Sequence, residues 1–241
     1  MDFEPSRQLS FVIGAFLGDG TFVEDSDYHH FVRLSVRDLE FAEAFNHSVA
    51  KLLLRKTNKI TISRNNGKVF YDAKYSSREL GLFLKQPIEN LRASIDDYPA
   101  PFLRGLFSAD GGVGVSIYRR DFSVEVALGN SNLNLLEMTQ DVLRSRFQIH
   151  SMIYLSQTKG KTWKYGKKIV VLRKNAYVLR VQRVLDVRTF AAKIGFAIVR
   201  KQEMLDTAVN LMKRLGRAKA AEGWMKYYSK VGSRWRRTLT D

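Results

Sequence analysis

A short pattern that ends in Asp-Gly occurs twice in this chain and constrains its fold more than any other feature. The first copy, VIGAFLGDG, runs over residues 12–20, and the second, LRGLFSADG, runs over residues 103–111. Both copies read apolar, any, Gly, apolar, apolar, any, small, Asp, Gly, and each is followed by a stretch with the composition of a β-strand. Repeats this far apart each open a structural unit, so the sequence predicts two related halves.

Each copy is expected to be a helix with one face of small residues. Gly14 and Gly18 lie four positions apart in the first copy, and Gly105 and Ala109 do so in the second, so each pair shares a helix face. Glycine inside a helix costs about 1 kcal/mol relative to alanine. Close approach of the two helices would explain this cost, and it would bring their C-terminal ends together.

The aspartates that end these helices, Asp19 and Asp110, are then placed side by side. Gly20 and Gly111 are free to adopt a left-handed cap conformation. A single Asp-Gly step is most simply a turn, but two copies in the same context favour a functional role. Each carboxylate faces the negative end of its helix dipole and repels the other one. Bound divalent cations would remove both conflicts.

Composition indicates a polyanionic partner and an oxygen-ligated metal. The chain has 241 residues with 40 Lys and Arg against 24 Asp and Glu, which gives a net charge of +16 and favours nucleic acid. It has no cysteine, which excludes disulfides, iron–sulfur clusters and thiol nucleophiles, and its four histidines lack metal-ligand spacing. Any metal therefore lies on oxygen ligands, as suits Mg²⁺, Mn²⁺ or Ca²⁺.

No apolar stretch reaches the roughly 18 residues of a membrane span, so we expect no membrane partner. The N-terminal residues resemble neither a signal peptide nor a transit peptide. The sequence is not enriched in Asn, Ile and Lys as organellar genes often are. We therefore expect a cytoplasmic protein of a prokaryotic host, and an organellar location stays open.

The two halves show the same order of elements, helix–strand–strand–helix–strand–strand–helix. We expect a first half at 1–87, a linker at 88–101 with its most loop-like part at 96–101, a second half at 102–196, and a C-terminal segment at 197–241. Asp38 is expected to cap the second helix of the first half. A helix is predicted over 197–215, ended by Gly216. The basic aromatic tail beyond it either packs on the core or contacts nucleic acid.

Alternation along the strands places polar side chains on the face away from the core. A β-ribbon fits the major groove, where Arg, Gln and Glu side chains read base edges, while loop lysines more often neutralise phosphates. The candidate nucleic-acid contacts in the first half are Arg33, Ser35, Arg37, Arg64, Lys68, Tyr71, Lys74 and Ser76. Those in the second half are Ser116, Tyr118, Arg120, Ser123, Glu125, Tyr154, Ser156, Arg180 and Gln182, with Lys159, Lys161 and Lys164 from the basic loop at 157–168.

The paired motifs resemble those of the LAGLIDADG homing endonucleases, in the single-chain form with two motifs, and the resemblance covers most of the chain. It implies an α+β fold of two pseudo-symmetric αββαββα halves that pack through the motif helices, with antiparallel sheets forming a DNA-binding saddle. Asp19 and Asp110 match the family's catalytic metal ligands, and the carbonyls of Gly18 and Ala109 complete the metal shell. The sixth motif position holds Leu17 and Ser108, a departure that puts no metal ligand in question.

The resemblance further implies a monomer that makes a metal-dependent double-strand break in a long, nearly non-palindromic site of double-stranded DNA, and thereby spreads its host intron. The cofactor would be Mg²⁺ or Mn²⁺, whereas Ca²⁺ would support binding without cleavage.

The family also uses an assisting basic or amide residue near the metals. In the first half that position matches Val36, with Arg37 next to it, and in the second half it matches Gly129 or Asn130. A lysine near the end of each half is also common, and the candidates are Lys85, Lys193 and Lys201.

Two other functions remain open on the same fold. An intron-splicing maturase would use the basic surface, including the tail and the 157–168 loop, to bind intron RNA. A non-cleaving DNA-binding regulator would keep the saddle, but such relatives usually lose the motif acids and gain a further domain. Retention of both aspartates favours the nuclease.

Overall fold

The first half of the molecule is a four-stranded sheet covered on one face by helices. The computed structural model describes residues 3–26, 29–119, 121–165, 168–232 and 234–238. The elements of the first half are α1 (Arg7–Asp19), β1 (Gly20–Ser26), β2 (His29–Val36), α2 (Leu39–Leu52), β3 (Thr61–Asn65), β4 (Lys68–Tyr75) and α3 (Arg78–Leu84). The strands pair antiparallel in the order β1-β2-β4-β3. Strand β1 continues to Ser26, and β2 begins at His29.

The second half repeats this order with one added hairpin. Its elements are α5 (Pro99–Asp110), β5 (Gly111–Tyr118), β6 (Asp121–Asn130), α6 (Leu133–Phe147), β7 (Met152–Gln157), β8 (Thr162–Tyr165), β9 (Lys168–Val171), β10 (Ala176–Val181) and α7 (Val184–Lys193). The main sheet has the order β5-β6-β10-β7. The basic segment expected as a loop instead supplies the added hairpin β8–β9. The α+β fold of two αββαββα halves is confirmed.

The connector between the halves is helical, so the prediction of a loop at 96–101 was wrong. A 3₁₀ turn covers Ile88–Leu91, and α4 covers Arg92–Asp97. The prolines that indicated a loop lie in the first turn of α5, where a missing N–H costs nothing because it has no helical partner. The division of the chain at residues 87, 101 and 196 stays a prediction.

The helices α1 and α5 pack against each other through their small faces, as predicted. A Cβ atom added to Gly14 would overlap the carbonyl oxygen of Phe102 and lie 2.9 Å from the backbone nitrogen of Leu106. A Cβ on Gly105 would likewise overlap the carbonyl oxygen of Phe11. Only glycine permits this backbone-to-backbone contact, which forms the centre of the interface between the halves.

The glycines that follow these helices are extended, so the prediction of left-handed caps was wrong. Gly20 has φ −80° and ψ 156°, and Gly111 has φ −94° and ψ 171°. Each chain passes directly from helix into strand at this point. The glycines are needed for space, because a Cβ on Gly111 would lie 2.6 Å from the carbonyl oxygen of Phe107.

The C-terminal segment is an integral part of the second half. Helix α8 (Val199–Tyr227) bends at Gly216, where φ is +70°, so the predicted end of a helical run at this glycine is confirmed although helix resumes after it. The strands β11 (Tyr228–Val231) and β12 (Arg234–Arg237) form a closing hairpin. Trp224 is fully buried and stacks on Tyr228 at 4.0 Å between ring centroids.

The inward faces of both sheets form one continuous core with the helices. Val32 and Leu34 of β2 and Val126 and Leu128 of β6 are fully buried, and the residues between them, Arg33 and Ala127, lie on the opposite face. This alternation leaves an open face on each sheet, opposite the core. Among the described residues, no helix is both long and apolar enough to cross a membrane.

Candidate active site

The C-terminal ends of α1 and α5 meet and bring the two motif aspartates to one place. A Cβ atom on Gly18 would overlap the Cβ of Ala109 and lie 3.6 Å from the carboxyl carbon of Asp110. The next residue along α1 is Asp19. The small-residue faces therefore position two acidic side chains where strands β1 and β5 begin.

The surroundings of both aspartates disfavour their negative charge. Burial and the charge of Asp19 raise the pKa of Asp110 to about 6, against the lowering effects of Asn130 and Lys201. Burial and the charge of Asp38 raise the pKa of Asp19, and Lys201 lowers it. Asp19 is more exposed than Asp110. A pair of partly desolvated carboxylates that repel each other favours a bound cation.

Lys201 is the lysine that the structure places beside the aspartates. Its Nζ donates hydrogen bonds to the carbonyl oxygens of Ser108 at 2.6 Å and Gly111 at 2.7 Å, at the end of α5. Burial, together with the nearby charge of Arg200, lowers the pKa of Lys201 to about 8. The ammonium group thus lies where the helix dipole is negative.

The other two candidate lysines lie elsewhere. Lys85 follows α3, and its Nζ lies 3.9 Å from Oε2 of Glu24, near the far end of β1. Lys193 is exposed and lines a cleft with Arg7 and Ala100. Arg7 and Ala100 lie in the first turns of α1 and α5, at the ends of these helices opposite the aspartates.

Of the two candidates Gly129 and Asn130, Asn130 is the one whose side chain contacts a motif aspartate, and its assisting role stays a prediction. Its Nδ2 donates to Oδ2 of Asp110 at 2.8 Å, and its Oδ1 accepts from the backbone N–H of Asn132. In the first half Val36 is buried, whereas Arg37 is exposed and lines a cleft of about 240 Å³ together with Asp19 and Lys201.

A contact between the start of α8 and the first half was missed by the sequence reasoning. Asp38 lies at the predicted N-cap of α2 but makes no side-chain capping bond. Its carboxylate instead accepts from Arg200 at 2.6 and 2.8 Å, and the N–H of Val199 donates to Glu40. No local sequence signal indicates a pair of residues so far apart in the chain.

The donor set at the aspartates fits a divalent cation. Among the described residues there is no group of three or more His, Cys, Asp or Glu side chains that could hold a metal. The two aspartates would therefore hold it together with backbone carbonyls, water or substrate oxygens, which suits Mg²⁺ and Mn²⁺. The roles of the Gly18 and Ala109 carbonyls stay predictions.

The open face of the first sheet carries some, but not all, of the predicted polar set. Arg33 and Lys74 are paired across β2 and β4, with Ser35 next to them on the same face. Tyr71 pairs with Val36 on the core-facing side and packs against the core. Arg64 shares that side, because its partner across the ladder is Val69. Because successive side chains of a strand point to opposite faces of the sheet, Tyr71 and Arg64 are not on the open face.

The candidate nucleic-acid contacts in the strands of the second half lie together on the open face of the second sheet. The residues that alternate with the buried side chains of the sheet, and so share this face, are Ser116, Tyr118, Ser123, Glu125, Tyr154, Ser156, Arg180 and, just beyond β10, Gln182. Glu125 accepts from Arg180 at 3.2 Å and from Gln182 at 2.9 Å.

The remaining candidates lie in turns and hairpins. Lys68 begins β4, and the hydroxyl of Ser76 donates to the carbonyl oxygen of His30. The exposed lysines of the added hairpin region are Lys159, Lys161 and Lys164. Arg120 lies outside the described residues. A further residue that the sequence reasoning did not select, Asp72, is buried and binds Arg33 and Ser63.

Comparisons with known proteins agree with this architecture. The family model for the LAGLIDADG-like domain matches residues 6–86 and 97–195, so α8 and its hairpin lie beyond both matches. An uncharacterized protein of Methanocaldococcus jannaschii, MJ0398, is 30% identical over 213 residues, which cover 88% of this chain and 75% of that protein.

Solved structures show the same fold at low identity. A mesophilic variant of the homing endonuclease I-DmoI aligns with a TM-score of 0.56 and 18% identity, over 84% of this chain and 99% of that one. The homing endonuclease I-GzeII in complex with its DNA target gives 0.52 and 11%, over 90% and 96%. DUF199/WhiA from Thermatoga maritima gives 0.51 and 18%, over 92% and 67%. With two matched repeats and two motif helices that meet at paired aspartates, the chain belongs to the LAGLIDADG-like domain family.

Proposed function

We propose that this protein is a metal-dependent DNA endonuclease that cuts both strands at a specific site. The observation that carries the proposal is the meeting of Asp19 and Asp110 at the ends of α1 and α5, where the strands of both sheets begin. Two acidic groups at the junction of two halves suit a reaction on two nearby phosphodiester bonds.

Double-stranded DNA is the proposed partner. The net charge of +16 favours a polyanion, and each sheet presents a polar open face of the width that a major groove accepts. Structural neighbours of this fold include I-DmoI in complex with DNA and Mn and I-GzeII with its DNA target.

The proposed chemistry is hydrolysis of the phosphodiester bond. A bound Mg²⁺ or Mn²⁺ supplies charge neutralisation and activates water, and Ca²⁺ is expected to support binding alone. Asp19 and Asp110 would hold the cation through their carboxylates. Asn130 orients the carboxylate of Asp110, and Lys201 supplies a fixed positive charge at the end of α5.

We further propose that the protein acts as a monomer on a long, nearly non-palindromic site and serves the homing of a host intron. The two halves are joined in one chain and carry different side chains on their open faces. Each half would therefore read a different arm of the target.

The test is cleavage of plasmids that carry a library of candidate sites. We expect a discrete double-strand cut with Mg²⁺ that EDTA abolishes. Asp19→Asn and Asp110→Asn should each abolish double-strand cleavage while leaving DNA affinity largely intact. The control is Asp141→Asn, which changes an exposed acid of α6 and should leave cleavage unchanged.

Full cleavage by both motif variants would contradict the assignment. Absence of cleavage at every site, together with tight binding of intron RNA, would overturn the nuclease in favour of the RNA maturase.

A further inference from the structure

Arg33 on the first sheet is held in place by a buried carboxylate. Its Nε donates to Oδ1 of Asp72 at 2.8 Å, its Nη2 contacts the same oxygen, and Ser35 lies at 3.4 Å from Nη2. Asp72 is only 3% exposed and also accepts from Ser63 at 2.7 Å. Within the described part of the chain, Nη1 of Arg33 makes no hydrogen bond, and the side chain remains 34% exposed.

Arg180 on the second sheet is held in a comparable way. Its Nη1 donates to both carboxylate oxygens of Glu125, at 3.3 and 3.2 Å, and Gln182 donates to the same carboxylate. The Nε and Nη2 atoms of Arg180 have no hydrogen-bond partner among the described residues, and its side chain is 40% exposed. Each sheet therefore presents one oriented guanidinium on its open face.

The two arginines lie in equivalent rows of the two sheets. In the first sheet the row runs across Thr21, Arg33 and Lys74. In the second it runs across Gly112, Ala127 and Arg180. Thr21 and Gly112 each follow a motif aspartate by two residues, so both rows lie about 7 Å along the strand from Asp19 and Asp110.

We propose that Arg33 and Arg180 determine target specificity, and that each reads a guanine in the inner part of one arm of the DNA site. This inference rests on the proposed DNA-binding function. Arginine pairs with the O6 and N7 atoms of guanine in the major groove through two parallel hydrogen bonds, which gives geometric discrimination against the other bases. A guanidinium already fixed by a carboxylate loses less rotamer freedom when it binds.

The chemistry of the neighbours distinguishes these arginines from the other cations. Lys74, in the same row as Arg33, places its ammonium over the ring of Phe31 at 5.1 Å and has no carboxylate partner among the described residues. A lysine ammonium is a flexible point charge without the planar fork of arginine, so it reads a base edge with less geometric discrimination and often contacts phosphates instead. Lys74 is therefore expected to contribute affinity without base preference.

The two guanines should lie at different distances from the centre of the site. Arg33 is in the second strand of its sheet, whereas Arg180 is in the third strand of the other. At about 4.8 Å between strands, they stand about 5 Å and about 10 Å to the side of β1 and β5. In the second sheet the position equivalent to Arg33 holds Ala127, whose side chain cannot hydrogen-bond to a guanine.

The experiment is selection from a randomised duplex library by the full chain with Ca²⁺, which requires binding and no cleavage. The unchanged protein should select a guanine at one inner position in each arm. Arg33→Met should lose that preference in one arm only, and Arg180→Met in the other arm only. The loss of discrimination is expected to be about 5- to 150-fold at that position.

The matched control is Lys74→Met, which removes the same charge in the same row. It should weaken binding to all sequences alike and leave both guanine preferences in place. Asp72→Asn tests the orienting partner, because it retains Arg33 and its charge and should relax the guanine preference of that arm. Thermal unfolding of each variant establishes that it is folded.

Selection of the same bases by both arginine variants, with only a uniform loss of affinity, would overturn the inference. So would a preferred base other than guanine in the unchanged protein at the positions affected. Sequence-selective binding by a protein that never cuts would leave this inference standing and sink the nuclease proposal. A chain that selects no DNA sequence at all would overturn both.

Discussion

At the scale of single residues, the surroundings of Asp110 raise the pKa of its carboxyl group well above the ordinary value. Burial and the charge of Asp19 disfavour its carboxylate, while Asn130 and Lys201 favour it. The first two effects are larger, so its pKa is raised to about 6. Without a cation the folded protein therefore carries an unfavourable charge at neutral pH.

The metal-free protein should lose stability as the pH rises from about 4 to about 6. Because the folded pKa of Asp110 lies above the unfolded value of 3.8, the folded state binds the proton more tightly, and this contribution is lost above the folded pKa. Asp110→Asn should remove the loss and raise the free energy of unfolding at pH 7 by about 1 to 3 kcal/mol.

Thermal unfolding in EDTA between pH 4 and pH 7 measures this difference. Asp141→Asn provides a control without the effect, and Mg²⁺ should narrow the gap by stabilising the unchanged protein. A pH dependence that is the same for the protein and for Asp110→Asn would contradict the expectation.

Lys201 should be required for cleavage, because its ammonium is fixed between carbonyls beside both aspartates. We expect Lys201→Met to reduce the cleavage rate at saturating DNA by at least about tenfold, in line with the loss of one fixed electrostatic group. Single-turnover cleavage with Mg²⁺ measures this. Lys85→Met and Lys193→Met lie away from the aspartates, and a comparable loss in either would contradict the assignment.

At the scale of elements, the pair α1 and α5 is fixed by contacts that leave no room for a side chain. Gly14 and Gly105 lie against backbone atoms of the opposite helix. The same packing carries the aspartates, so helix geometry and site geometry cannot change separately.

Gly14→Ala should destabilise the protein by about 2 kcal/mol. The added methyl group would overlap Phe102 and press on the backbone of Leu106, and overpacking costs about 1 to 3 kcal/mol. The gain in helix propensity of about 1 kcal/mol only partly offsets a shift of two helices. Denaturant unfolding measures the change.

Gly112→Ala is the matched control, because a Cβ atom there has no neighbour within 4 Å. Equal stabilities of the two alanine variants would show that the helices do not meet as closely as described.

At the scale of the whole molecule, the C-terminal segment contacts the first half, the candidate site and the sheet of the second half. Its first residues bind Asp38 of the first half and Ser108 of α5. Its last residues close over the sheet, where Nε1 of Trp235 donates to the carbonyl oxygen of Val115 at 2.9 Å. The segment lies beyond the matches to the family model and yet contributes to the core and to the site.

Trp224→Ala should cost about 3 to 5 kcal/mol, as expected for loss of a fully buried aromatic side chain. Trp224 contacts Phe122, Tyr228 and Trp235, so its removal opens a cavity between the tail and β6. Chemical denaturation followed by circular dichroism measures the cost. Met225→Ala, at a side chain that is 55% exposed, should change stability little, and a small effect of Trp224→Ala would show that the tail is not part of the core.

The sequence by itself determined the features that repeat or alternate. The paired motifs predicted two halves. They also predicted that Asp19 and Asp110 meet, because the small-residue face of each motif helix allows close packing against the other motif helix. Alternation in β2 and β10 predicted the open-face positions of Arg33 and Arg180. These signals are local or periodic, so they can be read without knowledge of the packing.

Tertiary structure decided the features that depend on residues far apart in the chain. Asp38 pairs with Arg200, Lys201 rather than Lys85 or Lys193 lies beside the aspartates, and Asp72 binds Arg33. Each of these contacts forms where separate elements meet. The side of the sheet on which Arg64 lies is set by its pairing with Val69 across the ladder. For Tyr71, alternation along β4 already separates it from Lys74, so that misplacement was an error in reading a local signal. The prolines at the start of α5 have two local readings, loop or first helical turn, and only the packing of α5 on α1 selects between them.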